Sequence, residues 1–195
     1  MQDIAALARD RLGYDALRPG QAEAVGAVLH GQDTLAVLAT GTGKTAIYQL
    51  AELALGGLTV VVSPLVALQR DQLRALSTAG LEVAELNSGD HAGQRQAREM
   101  LAERRPGFVL MSPEQLTHAD VLELLAGSRP HLVAVDEAHL VSEWGQDFRP
   151  DYLRLAAAIR AMGRPPILAL TATAAPPVRG ETGASVVPQR TGTAS

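Results

Sequence analysis

Short apolar runs alternate with helix-spaced stretches along most of the chain, and this alternation limits the fold more than any other feature. Runs at 34–38, 58–62, 82–86, 107–111, 132–135 and 166–170 read as strands. Between them, 44–55, 66–79, 92–104, 119–126 and 152–162 carry helical spacing, and two further helices, 3–12 and 19–29, precede the first strand. Pro19 suits a first helical turn, and Gly80 and Gly127 suit the position that ends a helix. Such an order implies an α/β fold, a three-layer α/β/α sandwich around a mostly parallel sheet. Past Thr173 the pattern stops, in a stretch rich in Pro, Gly, Ser and Thr. The expectation is one domain over 1–175 and a disordered tail over 176–195.

A chain of 195 residues is long enough for one well-buried domain and too short for two of ordinary size. No apolar run approaches the roughly 18 residues needed to span a bilayer. Met1-Gln2-Asp3 lacks the basic flank and apolar core of a signal peptide. Without cysteine there is neither a disulfide framework nor a thiolate metal site, so the cytoplasm is the default location. The net charge of −4 argues against a broad basic face for duplex DNA. Any nucleic-acid contact is then local, through backbone amides and a few arginines.

The run at 34–38 leads into Ala39-Thr40-Gly41-Thr42-Gly43-Lys44-Thr45, and a helix follows. A phosphate-binding loop requires that context. Gly41 and Gly43 let the backbone curl so that its N–H groups face inward, and the helix N-terminus adds partial positive charge. Lys44 is placed to reach β- and γ-phosphates, and the Thr45 hydroxyl to ligate magnesium. The general motif has its first glycine where this chain has Leu38. Alone, the loop indicates only a nucleotide triphosphatase.

The run at 132–135 ends in Asp136-Glu-Ala-His139. An acidic pair by itself can simply cap a strand in solvent. With a phosphate loop on an earlier strand of the same sheet, Asp136 reads as a magnesium ligand and Glu137 as the base that orients the attacking water. His139 either bridges to Thr171 or Thr173 or only packs. Trp144 and Phe148 fall in one polar segment of a chain that is only 3% aromatic. There they read as stacking faces for unpaired bases rather than as core, worth about 1–3 kcal/mol per base. His30, His91, His118 and His131 show no metal-ligand spacing. Arg95, Arg98, Arg104 and Arg105 read as a solvated helix face, with phosphate contact as the lesser alternative.

These motifs, in this order, resemble the N-terminal RecA-like motor domain of RecQ-type DNA helicases, DEAH-box members of helicase superfamily two and P-loop NTPases. The resemblance runs from near Leu12 to near Ala175. Leu12-Gly-Tyr-Asp-Ala-Leu-Arg-Pro-Gly-Gln21 is similar to the family's adenine-recognition motif. It implies that Tyr14 stacks on the base while Arg18 and Gln21 read its edge. Leu38–Thr45 matches the family's phosphate loop, with Ala39 where proline is usual, and implies ATP binding by Thr40, Gly41, Thr42, Gly43, Lys44 and Thr45. Asp136 to His139 resembles the box that holds metal and water. Val60-Val-Val-Ser63-Pro64 resembles a segment that touches single-stranded DNA, as do Asn87-Ser88 and Met111-Ser-Pro-Glu-Gln-Leu116. Thr171 and Thr173 lie in a motif that links hydrolysis to DNA movement. Ser142-Glu-Trp-Gly-Gln-Asp-Phe-Arg-Pro-Asp-Tyr152 is similar to the family's aromatic-rich loop, implying that Trp144, Phe148 and Arg149 sense DNA.

The resemblance implies an ATP- and magnesium-dependent helicase acting on single-stranded or partly unwound DNA with 3′→5′ polarity, cytoplasmic and nucleoid-associated. It also implies a second RecA-like domain, which this chain does not contain, so the sequence looks like a truncated helicase. Two functions from different classes follow. One is the catalytic half of a helicase, with weak ATP binding and slow hydrolysis in isolation. The other is a non-catalytic nucleotide- or DNA-binding module. An unrelated phosphate-loop ATPase is a third, against which Tyr14–Gln21 and Trp144–Tyr152 speak.

Overall fold

The computed structural model describes residues 3–39, 43–64, 76–78, 80–87, 91–139, 151–172 and 185–188, with 151–153 and 185–188 as backbone only. Helices α1 (Ile4–Leu12) and α2 (Gln21–Leu29) precede β1 (Thr34–Val37), α3 (Lys44–Leu55) and β2 (Leu58–Val62). Then come β3 (Val83–Leu86), α4 (His91–Glu103), β4 (Gly107–Met111), a 3-10 turn (Pro113–Thr117) and α5 (Ala119–Ser128). The chain continues through β5 (Leu132–Val135), α6 (Asp151–Ala161), β6 (Ile167–Thr171) and β7 (Ser185–Pro188). The strands form one sheet in the order β3-β4-β2-β5-β6-β1-β7, and every pairing is parallel.

Strand alternation sorts the core into two layers. Val60, Val62, Val109, Met111, Val133 and Val135 pack with Ala97, Met100 and Leu101 of α4, Val121 and Leu125 of α5, and Leu155 and Ala158 of α6. Val61, Phe108, Leu110, Leu132 and Ala134 point the other way, onto Ala8 of α1, Val25 and Val28 of α2, and Ile47, Tyr48 and Ala51 of α3. The sheet is thus covered on both faces. A parallel strand buried on both faces needs apolar residues at every position, which is why these segments read as unbroken apolar runs. The three-layer α/β/α sandwich expected from the alternation is the observed fold.

Local signals explain the helix ends, with three departures from the sequence reading. Asp3 is the cap of α1 and lies outside its first turn, accepting the amides of Ala5 and Ala6 at 3.0 and 3.2 Å. Pro19 also lies outside a helix. α2 starts at Gln21 from Gly20, whose φ of 86° only glycine adopts freely and whose N–H donates to Glu23. Gly127 lies inside α5, which ends instead on Arg129 at φ 49°. Gly80, at φ 74°, does occupy a left-handed position. Of the helix expected over 66–79, only 76–78 fall within the described residues, and they are helical.

The tail departs as well. Residues 185–188 form β7, pairing along β1 from Thr34↔Ser185 to Val37↔Pro188. Composition averaged over the tail hides a four-residue Ser-Val-Val-Pro run. An edge strand needs little more than that to satisfy the open backbone groups of β1. Proline at its last position suits an edge.

Candidate active site

The chemistry collects where β1, β2, β5 and β6 end, the rim at which open parallel sheets bind ligands. Backbone pairing continues past the strands and fixes the residues there. Leu38 donates to the Thr171 carbonyl, Asp136 to that of Val62, and Ala138 to that of Leu170, each at 2.9 Å. Ser63 donates to the Met111 carbonyl at 3.0 Å. The acidic turn is therefore stitched to the sheet on both sides. It is also bent sharply: Glu137 takes φ 50°, a left-handed conformation that costs a residue with a side chain about 1–3 kcal/mol.

Lys44, the first residue of α3, reaches across 93 positions to Glu137, Nζ to Oε1 at 3.4 Å, with both side chains largely covered. The other Glu137 oxygen lies 3.3 Å from His139 Nδ1. The same Nδ1 is 3.3 Å from the Thr171 hydroxyl. Of the roles left open for His139, the bridge to Thr171 is the one observed, with Glu137 as an additional partner. A continuous polar chain thus runs Lys44–Glu137–His139–Thr171.

Asp136 is almost fully buried. One of its oxygens accepts the Glu137 amide at 3.0 Å and the other the Ser63 hydroxyl at 3.4 Å. Burial pushes its pKa up. The Glu137 amide, Lys44 and Ser63 oppose this, while the Glu137 charge adds to it. A buried carboxylate with a second carboxylate beside it favours a cation, so the donor set fits a divalent metal. Among the described residues no three His, Asp or Glu side chains form a metal cage. Thr45 stands next to Lys44 at the start of α3. One turn on, the Tyr48 side chain is fully buried, and burial raises its phenol above the ordinary range.

The N-terminal segment reaches the same rim. The Gln21 side chain accepts the Arg18 amide at 2.8 Å and donates to the Gly43 carbonyl at 2.9 Å. A Cβ on Gly43 would stand 3.0 Å from that Gln21 nitrogen, and Gly43 also adopts φ 78°. The left-handed backbone favours glycine there, and a Cβ would also crowd the Gln21 amide. Tyr14 is half-buried, and its hydroxyl donates to Gln49 on α3 at 3.1 Å. Arg18 is exposed.

Two residues expected at a DNA surface have buried side chains. Ser63 is fully buried, with its hydroxyl on Asp136. Asn87 is 8% exposed; its carbonyl oxygen accepts the Ser112 amide at 2.9 Å, and its amide donates to Glu85 at 2.7 Å. Both side chains tie strand ends together, because at the end of a buried strand an unpaired polar group is costly. Pro64 is half-exposed. Thr40, Gly41, Thr42, Ser88, Trp144, Phe148, Arg149 and Thr173 lie outside the described residues. Arg98 pairs with Asp120 at 2.7 Å and Arg105 with Glu82 at 2.9 Å, as a solvated face would. The polar residues that sequence reasoning missed are Gln49 and Glu52, both buried on α3. Their signal was polarity at inward positions of an otherwise apolar helix face.

A model of the DEAD/DEAH box helicase family matches residues 18–179. The ATP-dependent DNA helicase RecQ of Haemophilus influenzae is 41% identical over 163 residues, covering 83% of this chain and 26% of its own length. The probable ATP-dependent DNA helicase RecS of Bacillus subtilis is 43% identical over 165 residues, covering 83% of this chain and 33% of its own. The chain spans about a quarter to a third of these curated relatives. A hypothetical ATP-dependent RNA helicase from Sulfolobus tokodaii shares the fold at a TM-score of 0.71 and 22% identity, over 96% of this chain and 57% of that one. Helicase Lhr of Mycobacterium smegmatis, bound to ssDNA and AMP-PNP, does so at 0.67 and 24%, over 90% and 26%. The family match takes in both Lys44 and the Asp136–His139 turn that meets it, and with RecQ helicases as its relatives the chain belongs to the DEAD/DEAH box helicase family.

Proposed function

We propose that this chain carries the ATP-binding half of a RecQ-type ATP-dependent DNA helicase. The observation that carries the reading is the Lys44–Glu137 contact, which brings the phosphate loop and the acidic turn to one rim. Family membership supports ATP as the nucleotide. In this reading Tyr14, Arg18 and Gln21 take the adenine, Thr40 to Gly43 wrap the phosphates, and Lys44 neutralises their charge. Thr45 and Asp136 hold magnesium, which when bound draws charge from the phosphate oxygens. Glu137 orients and accepts a proton from the attacking water. Lys44 lies against Glu137, so phosphate would compete with the carboxylate for the lysine. His139 and Thr171 lie next along the polar chain and fit a coupling role, shared with Thr173.

Trp144, Phe148, Arg149 and Ser88 are the proposed contacts to single-stranded or partly unwound DNA, with Pro64 at the rim. Ser63 and Asn87 act behind that surface by shaping its strand ends. The 3′→5′ polarity, the pairing with a second RecA-like domain and a cytoplasmic, nucleoid-associated location belong to the same proposal. Among the described residues no helix is long and apolar enough to cross a membrane.

The test is magnesium-ATP hydrolysis by this chain with and without single-stranded DNA, using Lys44→Ala as the blank. Turnover that rises with DNA and vanishes in the variant supports a motor half. Turnover equal to the blank in both conditions favours a non-catalytic nucleotide- or DNA-binding module.

A further inference from the structure

α3 begins with Lys44 at the phosphate loop and carries Gln49 on its second turn. Gln49 is only 3% exposed. A buried amide needs a partner, because leaving it unpaired forfeits hydrogen bonds it would make in water. Its carbonyl oxygen accepts the hydroxyl of Tyr14, 35 positions away, at 3.1 Å. Tyr14 is also fixed at its other end, where its amide donates to the Ala8 carbonyl at 3.0 Å. Between these anchors the ring packs on the core beneath α1, α2 and α3, with the rest of it open.

We propose that Gln49 is a positioning residue for the nucleobase, holding the Tyr14 ring by its hydroxyl to the helix that starts at the phosphate loop. The proposal rests on the nucleotide reading above and adds a residue to it. A tyrosine tethered only at its backbone can swing about χ1 and χ2. Pinned at the hydroxyl as well, it presents a fixed plane for a base to stack on, and less freedom is lost on binding. Gln21 makes a second link to the same helix start, through the Gly43 carbonyl. Base and phosphate recognition are then referred to one rigid element.

The experiment is calorimetric titration of the chain with magnesium-ATP and, in parallel, with magnesium inorganic triphosphate, which has no base. The variants are Gln49→Leu, Tyr14→Phe and the double substitution. Tyr14→Phe removes the same hydrogen bond with almost no change in packing, so the test survives if Gln49→Leu fails to fold. Each single variant is expected to weaken ATP by about fivefold, the worth of one neutral hydrogen bond. The double variant loses no more than either alone, and triphosphate affinity in Gln49→Leu stays within about twofold. Unchanged ATP affinity in Tyr14→Phe overturns the proposal, since the ring then needs no tether. Equal losses for ATP and triphosphate in Gln49→Leu also overturn it, because Gln49 then serves only the packing of α3. Wild-type protein that binds ATP no better than triphosphate refutes the base-recognition reading itself, and the tether falls with it.

Discussion

Glu52 offers a stability experiment whose sign and size follow from burial. It lies on the inner face of α3, 5% exposed, and its Oε2 has no hydrogen-bond partner among the described residues. Removal from water disfavours the charged form and pushes its pKa from 4.5 to about 7, with Arg11 pulling weakly the other way. Between those two values the folded protein keeps a proton that the unfolded chain has released. Stability is therefore full below about pH 4.5 and declines as pH rises through about 7. At roughly 1.4 kcal/mol per pKa unit, and discounted for the solvent that still screens the group, the loss is about 2 kcal/mol by pH 8. Glu52→Gln keeps the shape and never ionises. The variant should match wild type at pH 4.5 and be more stable by about 2 kcal/mol at pH 8, or about 4–8 °C in melting temperature for a chain of this size. Melting followed by circular dichroism at half-unit pH steps measures the difference, and subtracting the two curves removes every other titrating group. A stability difference that stays flat from pH 4.5 to 8, or that favours wild type at pH 8, refutes the argument.

Three further outcomes can be measured on the same material. Gly107→Ala should destabilise the chain by at least about 3 kcal/mol in urea unfolding, since the site has φ 126° and a Cβ there would come within 2.3 Å of the Glu82 carbonyl. Asn87→Ala strips the buried Ser112 amide and Glu85 of a partner and should cost about 1–3 kcal/mol; a loss under 0.5 kcal/mol would mean that water replaces the side chain. Truncation after residue 184 removes β7 and reopens the edge of β1. Amide exchange should then accelerate in β1 while β4, four strands away in the sheet order, keeps its protection.

The sequence revealed the layered architecture because strands covered on both faces leave a strong trace. Leu58–Val62, Gly107–Met111 and Leu132–Val135 are apolar nearly throughout, and each was legible to the residue. Helix ends were harder, because they depend on single side chains and dihedrals. Gly127 has the composition of a terminator, yet Arg129 supplies the left-handed turn. β7 escaped because its pairing lies in the open edge of β1 rather than in its own four residues. At the site, Lys44, Asp136 and Glu137 were legible because their spacing after strands fixes where they emerge. The partners of Ser63, Asn87 and Gln49 were not, since those contacts join segments 73, 25 and 35 positions apart that no local pattern connects.

The opposite rim of the sheet is sewn up in its own way. Gly107 donates to the Gly57 carbonyl, His131 to that of Leu58, and Val133 to that of Pro166, while the Asp33 carboxylate accepts the Ile167 amide. These bonds join the ends where strands begin, a full strand length from Asp136 and Lys44. Strand entry and strand exit thus answer to different demands, endurance at one and, in the proposed function, nucleotide chemistry at the other. Substitutions at the entry rim can harden or soften the molecule while leaving its chemistry alone, and grafted loops or labels belong there.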